Sequence, residues 1–178
     1  EGAAVGAAVG ASVGDAVYVS GCLGNAALGY IECDTDSRRA RHEWRPHLKE
    51  AAVLARSPLV TAMMDISDGL LTDLRKMLKI NNNRFTIYKN LLPKSNYFKM
   101  LTNERKIKPN NHLFKGDDYQ ILFTSPKNMR KYIKNLSKRI NVKITQIGIT
   151  TNKKKQRIII SGKNLLKSIN YKGYSHKF

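Results

Sequence analysis

The chain of 178 residues carries 32 Lys and Arg against 13 Asp and Glu, a formal net charge of +19, and has only two Cys. This length can bury an ordinary core without disulfides or a structural metal, and one domain is expected. Two cysteines exclude a disulfide framework or a zinc site and indicate a reducing, cytoplasmic setting. No apolar run is long enough for a membrane span, and we expect no signal peptide because the first fourteen residues lack its positive and continuous apolar regions.

The charge is unevenly distributed along the chain. No Lys or Arg precedes Arg38, and after Arg75 the only acids are Glu104, Asp117 and Asp118. Such a basic excess can attract polyanions. Joint enrichment in Lys, Asn and Ile, as an AT-rich genome produces, is the favoured explanation, since no RNA- or DNA-reading motif accompanies the charge. A nucleic-acid partner is therefore the least favoured of the functions considered.

The first part of the chain predicts a strand, a turn and two helices. Residues 1–13 are of low complexity and are expected to be poorly ordered, with the folded domain spanning 14–178. Residues 16–20 alternate as a strand does, and a glycine-rich turn leads into a helix near Asn25. The turn can cradle a phosphate or can serve only for packing. Packing is preferred, because the glycine spacing matches neither a Walker loop nor a dinucleotide-binding fingerprint. A second helix is expected over 49–56.

The segment from Asp65 to Gly69, Asp-Ile-Ser-Asp-Gly, lies between a predicted buried strand over 59–64 and a predicted helix over 70–80. Ser67 or Asp68 can cap that helix, and the glycine permits a tight turn. Free N–H groups and the helix dipole favour a phosphate there. Asp65 and Asp68 can bind a Mg²⁺ ion that the phosphate shares, or the turn is simply a good N-cap. Asp73, one turn later, is expected to be a solvated surface charge.

The remaining elements alternate strands with helices. The pattern predicts strands over 84–88, 119–124, 144–149 and 157–161, and helices over 93–101 and from a Ser125-Pro126 cap onward. The last helix is expected to pack through one apolar stripe, formed by Met129, Tyr132, Ile133, Leu136 and Ile140. The resulting order, β-α-α-β-α-β-α-β-α-β-β, predicts an α/β sandwich with helices laid on a mixed sheet.

Four blocks of the chain resemble thiamine-monophosphate kinases and occur in that family's order. We name them the glycine block (residues 14–29), the aspartate block (65–74, Asp-Ile-Ser-Asp-Gly-Leu-Leu-Thr-Asp-Leu), the Gly-Asp-Asp block (115–124, Lys-Gly-Asp-Asp-Tyr-Gln-Ile-Leu-Phe-Thr) and the terminal block (173–178). The resemblance runs from about residue 10 to the end and corresponds to the carboxy-terminal half of such a kinase. It implies the carboxy-terminal domain of the superfamily shared with aminoimidazole ribonucleotide synthetase and selenophosphate synthetase.

The resemblance also implies an activity, the ATP- and Mg²⁺-dependent phosphorylation of thiamine phosphate to thiamine diphosphate. Asp65 and Asp68 would bind Mg²⁺ and Ser67 the ATP phosphates. Asp117, where the family has a glutamate, and Tyr174 would contact the thiamine substrate. In the absence of that role, Asp117 would be a turn former and Tyr174 a ring that packs on its own domain.

An amino-terminal domain supplies most metal ligands and the dimer interface in that family. The resemblance therefore implies a homodimer or a missing amino-terminal half as the partner of this chain, besides ATP and thiamine phosphate. The alternative is a non-catalytic remnant or substrate-binding module with the same fold.

Overall fold

The computed structural model describes residues 10–32, 47–80, 84–104, 106–152, 158–162 and 165–168. Within these residues seven strands form one sheet. They are β1 Ala16–Ser20, β2 Ala62–Asp65, β3 Arg84–Tyr88, β4 Ile121–Ser125, β5 Ile144–Thr151, β6 Ile158–Gly162 and β7 Leu165–Ser168. The α-helices of the described ranges are α1 Asn25–Glu32, α2 Leu48–Ala55, α3 Leu70–Ile80, α4 Asn96–Asn103 and α5 Arg130–Arg139.

The sheet is mixed, as predicted. Its strand order is β2-β4-β1-β5-β3-β6-β7. Strand β1 pairs antiparallel with both β4 and β5, and β2 pairs antiparallel with β4. The pair β3–β6 is parallel, whereas β3–β5 and β6–β7 are antiparallel. The predicted order of elements is confirmed, and β7 adds a strand that the sequence pattern did not reveal.

Helices cover both faces of the sheet. Successive residues of a strand point to opposite faces, so neighbouring residues of β1 belong to different apolar clusters. Val17 and Val19 of β1 belong to one apolar cluster, which includes residues of α1, α3 and α4. Tyr18 belongs to a second cluster with residues of α2 and α5. The predicted α/β sandwich is therefore confirmed, with its core divided by the sheet.

Several boundaries differ from the prediction for local reasons. The strand expected over 59–64 begins only at Ala62, because a turn precedes it in which the Val60 N–H donates to the Ser57 carbonyl at 3.2 Å. Helix α4 begins after Ser95, whose Oγ accepts a hydrogen bond from the Phe98 N–H at 3.0 Å. Helix α3 and strands β1 and β3 have the predicted bounds.

The expected Ser125-Pro126 helix start is wrong. Ser125 is the last residue of β4, where it is buried and pairs with Ala16. A 3-10 turn over Lys127–Met129 follows, and α5 starts only at Arg130. The stripe on α5 is also narrower than predicted, since Ile133 and Leu136 are buried but Tyr132 is 60% exposed.

The amino-terminal segment is described from residue 10 onward. Ala11 packs in the first apolar cluster, and the Gly14 N–H donates to the Thr150 carbonyl at 3.0 Å. The low-complexity residues 1–9 lie outside the described ranges, so the expected disorder there and the domain boundary stay predictions.

Across the described ranges, every helix is too short or too polar to cross a bilayer.

The orientation of α5 can be tested with two neighbouring substitutions. Ile133→Ala should lower the free energy of unfolding by about 2–5 kcal/mol, because it leaves a cavity under a buried side chain. Tyr132→Ala should lower it by less than about 0.5 kcal/mol, since that ring is exposed. Urea denaturation of both variants measures the difference, and equal losses would contradict the orientation.

Candidate functional site

The aspartate block joins β2 to α3, at the predicted strand-to-helix junction. Asp65 is the last residue of β2 and is exposed. Gly69 precedes the first helical residue with a φ of +107°, a conformation that glycine adopts without strain. The polar residues of the block are thereby placed at one end of the sheet.

The Gly-Asp-Asp block lies directly beside the aspartate block. The β2–β4 pairing continues past the strand ends, with the Ile66 N–H donating to the Gln120 carbonyl at 2.8 Å and the Tyr119 N–H donating to the Ile66 carbonyl at 2.9 Å. One step further, the Asp117 N–H donates to the Ser67 carbonyl at 2.8 Å. Two motifs that are far apart in sequence are therefore joined by their backbones.

Two glycines permit this close approach. A Cβ on Gly69 would collide with the carbonyl oxygen of Phe114, and a Cβ on Gly116 would collide with the carbonyl oxygen of Ser67. Because the obstacles are backbone atoms, they cannot turn aside as a flexible side chain would. The glycines of the two blocks are thus required by the contact between them.

The Gly-Asp-Asp block has an unusual backbone. Asp117 and Tyr119 adopt positive φ angles of +68° and +48°, which is uncommon for residues other than glycine. Both side chains are exposed, whereas Asp118 between them is only 2% exposed. Two adjacent aspartates consequently face opposite environments.

Asp118 connects this block to the glycine block. Its Oδ2 accepts the Gly24 N–H at 2.7 Å and its Oδ1 accepts the Ala26 N–H at 3.2 Å, so it caps the start of α1. Burial raises the pKa of Asp118 to about 6, although these N–H groups oppose the rise. Within the glycine turn, the Gly24 N–H donates to this carboxylate, and the Gly21 and Leu23 N–H groups donate to backbone carbonyls. These bonds support the packing interpretation of the turn over a phosphate cradle.

A second set of contacts joins the Gly-Asp-Asp block to the glycine block. The Ser20 hydroxyl donates to Gln120 Oε1 at 2.8 Å and accepts the Ile121 N–H at 2.8 Å. At Gly21 a Cβ would meet the Gln120 amide. The glycine, aspartate and Gly-Asp-Asp blocks therefore form one packed unit.

Asp73 is not the solvated surface charge that was expected, because its side chain is fully buried. Its Oδ2 accepts the Asp68 N–H at 3.1 Å, and its Oδ1 lies 2.7 Å from the Lys76 ammonium group. Burial raises the pKa of Asp73, and the hydrogen bond from Lys76 opposes that rise. The prediction failed because these two partners make burial of the carboxylate tolerable.

Lys76 is a residue of the site that sequence reasoning missed. Its Nζ also lies 2.6 Å from Asp68 Oδ2 and so bridges two carboxylates. Burial alone would lower the pKa of Lys76, but the hydrogen bonds that it donates to Asp68 and Asp73 raise it overall. The available sequence signal was the spacing of Asp73 and Lys76, since side chains three apart on a helix are neighbours.

Four of the five predicted site residues share the neighbourhood of the two paired blocks. These are Asp65, Ser67, Asp68 and Asp117. Tyr174 lies outside the described residues. The individual roles assigned to all five stay predictions.

The carboxylates of the site can be compared with the ligands that a Mg²⁺ ion requires. In the described part of the chain, no three His, Cys, Asp or Glu side chains are grouped as a metal site. Mg²⁺ in phosphate-transfer sites takes one or two carboxylates together with water and phosphate oxygens. Asp65 and Asp68, both exposed, fit that smaller requirement.

The chain matches the family model described as AIR synthase related protein, C-terminal domain, over residues 12–161. A curated relative, the thiamine-monophosphate kinase of Buchnera aphidicola subsp. Schizaphis graminum, is 33% identical over 176 residues, which are 91% of this chain and 52% of the relative. The chain thus spans about half the length of the relative.

Solved structures show the same relationship. Thiamine-monophosphate kinase from Stenotrophomonas maltophilia K279a has a TM-score of 0.74 and 25% identity, covering 86% of this chain and 52% of that one. The complex described as AaThiL complexed with AMPPCP and TMP has a TM-score of 0.71 and 26% identity, covering 94% and 53%. The family resemblance that the four blocks predicted is therefore confirmed.

The contact between the paired blocks predicts different effects at two glycines of positive φ. Gly69→Ala and Gly14→Ala both introduce a Cβ at such an angle, +107° and +92°, but only Gly69 has backbone atoms in the way. The φ strain alone is on the order of 1–3 kcal/mol. Thermal unfolding should show a clearly larger loss for Gly69→Ala, and equal losses would mean that the two backbones are not in contact.

The buried Asp118 predicts a pH dependence of stability. Its pKa is about 6 in the folded protein against an ordinary value of 3.8, so the folded state binds the proton more tightly. Protonation of Asp118 therefore stabilises the folded protein at low pH. This stabilisation amounts to about 3 kcal/mol, is complete below about pH 4, and is lost as the pH rises to about 6. Urea denaturation of the unsubstituted chain and Asp118→Asn measures it as a difference that changes over this window. A difference that stays flat would contradict the prediction.

Proposed function

The chain belongs to the family of AIR synthase related proteins, C-terminal domain, and on this basis we propose that it serves the ATP- and Mg²⁺-dependent phosphorylation of thiamine phosphate to thiamine diphosphate. Support comes from the curated relatives, which are named thiamine-monophosphate kinases. AaThiL, a similar structure, is complexed with AMPPCP, an ATP analogue, and TMP. We propose that this chain binds ATP and thiamine phosphate in the same way.

The observation that carries the proposal is the backbone pairing of the aspartate and Gly-Asp-Asp blocks. Hydrogen bonds from the Tyr119 N–H to the Ile66 carbonyl and from the Asp117 N–H to the Ser67 carbonyl join the two motifs just before the start of α3. Phosphoryl transfer depends on positioning and charge neutralisation more than on covalent chemistry by the protein. The paired backbones, which carry the exposed Asp65, Asp68 and Asp117, support a role in positioning.

Within this proposal Asp65 and Asp68 hold the ion, which when bound neutralises charge on the transferred phosphoryl group. The Ser67 hydroxyl donates a hydrogen bond to a phosphate oxygen of ATP. The start of α3 favours the same anion through its dipole. These groups orient the nucleotide at the end of β2.

Asp117 is proposed to contact the thiamine substrate. Its backbone is held by the hydrogen bond to Ser67 and its side chain is exposed beside the aspartate block. Tyr174 is proposed to stack on a ring of the same substrate. The two residues would thus hold the acceptor next to the nucleotide.

Because the chain spans about half of its relatives, binding and turnover need separate assays. A chain that binds thiamine phosphate without turning it over would be a substrate-binding module of this fold.

The first assay measures thiamine diphosphate formed from thiamine phosphate, ATP and Mg²⁺ by the chain. Asp65→Asn should lower the rate about a hundredfold or more, because it removes charge that the transition state needs. Glu104→Gln is the matched control, since this exposed acid forms its ion pair with Lys106, outside the two blocks, and it should leave the rate unchanged.

Calorimetric titrations with thiamine phosphate and with ATP, each in the presence and absence of Mg²⁺, complete the test. Mg²⁺-dependent binding without turnover would assign the chain to the binding module. If neither thiamine phosphate nor ATP binds, the proposed function is refuted.

A further inference from the structure

The ammonium group of Lys76 lies on one of the two carboxylates proposed for Mg²⁺. Its Nζ is 2.6 Å from Asp68 Oδ2 and 2.7 Å from Asp73 Oδ1. The Asp68 and Lys76 side chains are about equally exposed, at 46% and 44%. One end of this ion-pair chain therefore faces the solvent, where a ligand can reach it.

The other end of the chain cannot move in the same way. Asp73 is fully buried, and its second oxygen accepts the Asp68 N–H at 3.1 Å. An uncompensated carboxylate in that position would be costly, so the bond from Lys76 to Asp73 is the firmer of the two. Lys76 is thus anchored by a buried partner and reaches toward an exposed one.

We propose that Lys76 is the resident counter-ion of Asp68, and that a divalent cation gains this carboxylate only by displacing the ammonium group from it. The inference rests on the proposed function, because it takes Asp68 as a metal ligand. A Mg²⁺ ion binds oxygen at about 2.0–2.1 Å. An ion on Asp68 Oδ2 would lie within a few ångströms of the Lys76 Nζ, and the two cations would repel each other.

Displacement leaves the ion pair between Lys76 and Asp73 intact. The lysine therefore weakens metal binding without losing its own place in the fold. In this role Lys76 sets the ion affinity of the site and does not contact the reacting atoms. It is a positioning residue, and its effect can be measured by metal binding in the absence of turnover.

The probe is Mn²⁺, whose free concentration is followed by its electron paramagnetic resonance signal during titration of the full chain. Lys76→Met should bind Mn²⁺ about tenfold more tightly than the unsubstituted protein, because a neighbouring positive charge is removed. Lys76→Arg keeps the positive charge that repels the metal ion and should change the affinity by less than about twofold.

Lys134→Met is the control for net charge. Lys134 is exposed on α5, whose buried residues belong to the cluster on the other face of the sheet, and its loss should leave the affinity unchanged. A gain as large as that of Lys76→Met would assign the effect to overall charge and overturn the proposal. Unchanged or weaker binding by Lys76→Met would overturn it as well.

The double variant Lys76→Met with Asp73→Asn guards against a folding defect, because it leaves no buried carboxylate without its cation. It should retain a severalfold gain in affinity, and circular dichroism checks its fold. If the unsubstituted chain binds Mn²⁺ and neither variant binds more tightly, the competition is refuted while the metal site stands. If no form of the chain binds Mn²⁺, the metal site itself is refuted and the competition with it.

Discussion

Backbone pairing between the aspartate and Gly-Asp-Asp blocks is the constraint on which the candidate site depends. It extends the β2–β4 ladder past the ends of both strands, through the bonds of Ile66, Ser67 and their partners. Glycine at positions 69 and 116 is what allows the two chains to approach. Without this contact, carboxylates from two distant motifs would have no fixed relation to each other, since loop ends are otherwise free to move.

The same region separates acids that hold the fold from acids that face solvent. Asp118 turns inward and caps α1, and Asp73 turns inward onto Asp68 and Lys76. Asp65 and Asp117 are exposed. Burial of Asp118 and Asp73 is tolerated because each carboxylate has N–H or ammonium partners. Asp65 and Asp117 remain available to a ligand. All four residues are aspartates, so residue type does not distinguish the buried ones from the exposed ones. The backbone does, because it turns two of the side chains into the protein and two toward solvent.

The errors of sequence interpretation concern three residues whose surroundings differ from what their local pattern indicates. Ser125 before a proline is a typical helix start, but in this fold it completes the pairing of β4 with β1. Tyr132 fits a helical apolar stripe, yet it is 60% exposed, whereas Ile133, Leu136 and Ile140 pack in or against the second cluster. Asp73 looked like a surface charge because its partners, Lys76 and the Asp68 N–H, are defined only once α3 has formed. Ser125 and Tyr132 depend on segments distant in sequence, whereas the partners of Asp73 lie within five residues of it and left a local signal, the spacing of Asp73 and Lys76.

The sequence by itself determined the order of elements up to β6 and the bounds of β1, α3 and β3, because periodicity and turn chemistry are local properties. It also indicated the family and the two central motifs, through the resemblance of its four blocks. Only the tertiary structure decided that the aspartate and Gly-Asp-Asp blocks are joined, that Asp118 caps a helix from another block, and that Lys76 forms an ion pair with Asp68. The first two facts arise from contacts between distant segments, whose geometry is set by sheet register and close packing. The third depends on the turn before α3, which brings together two side chains eight residues apart.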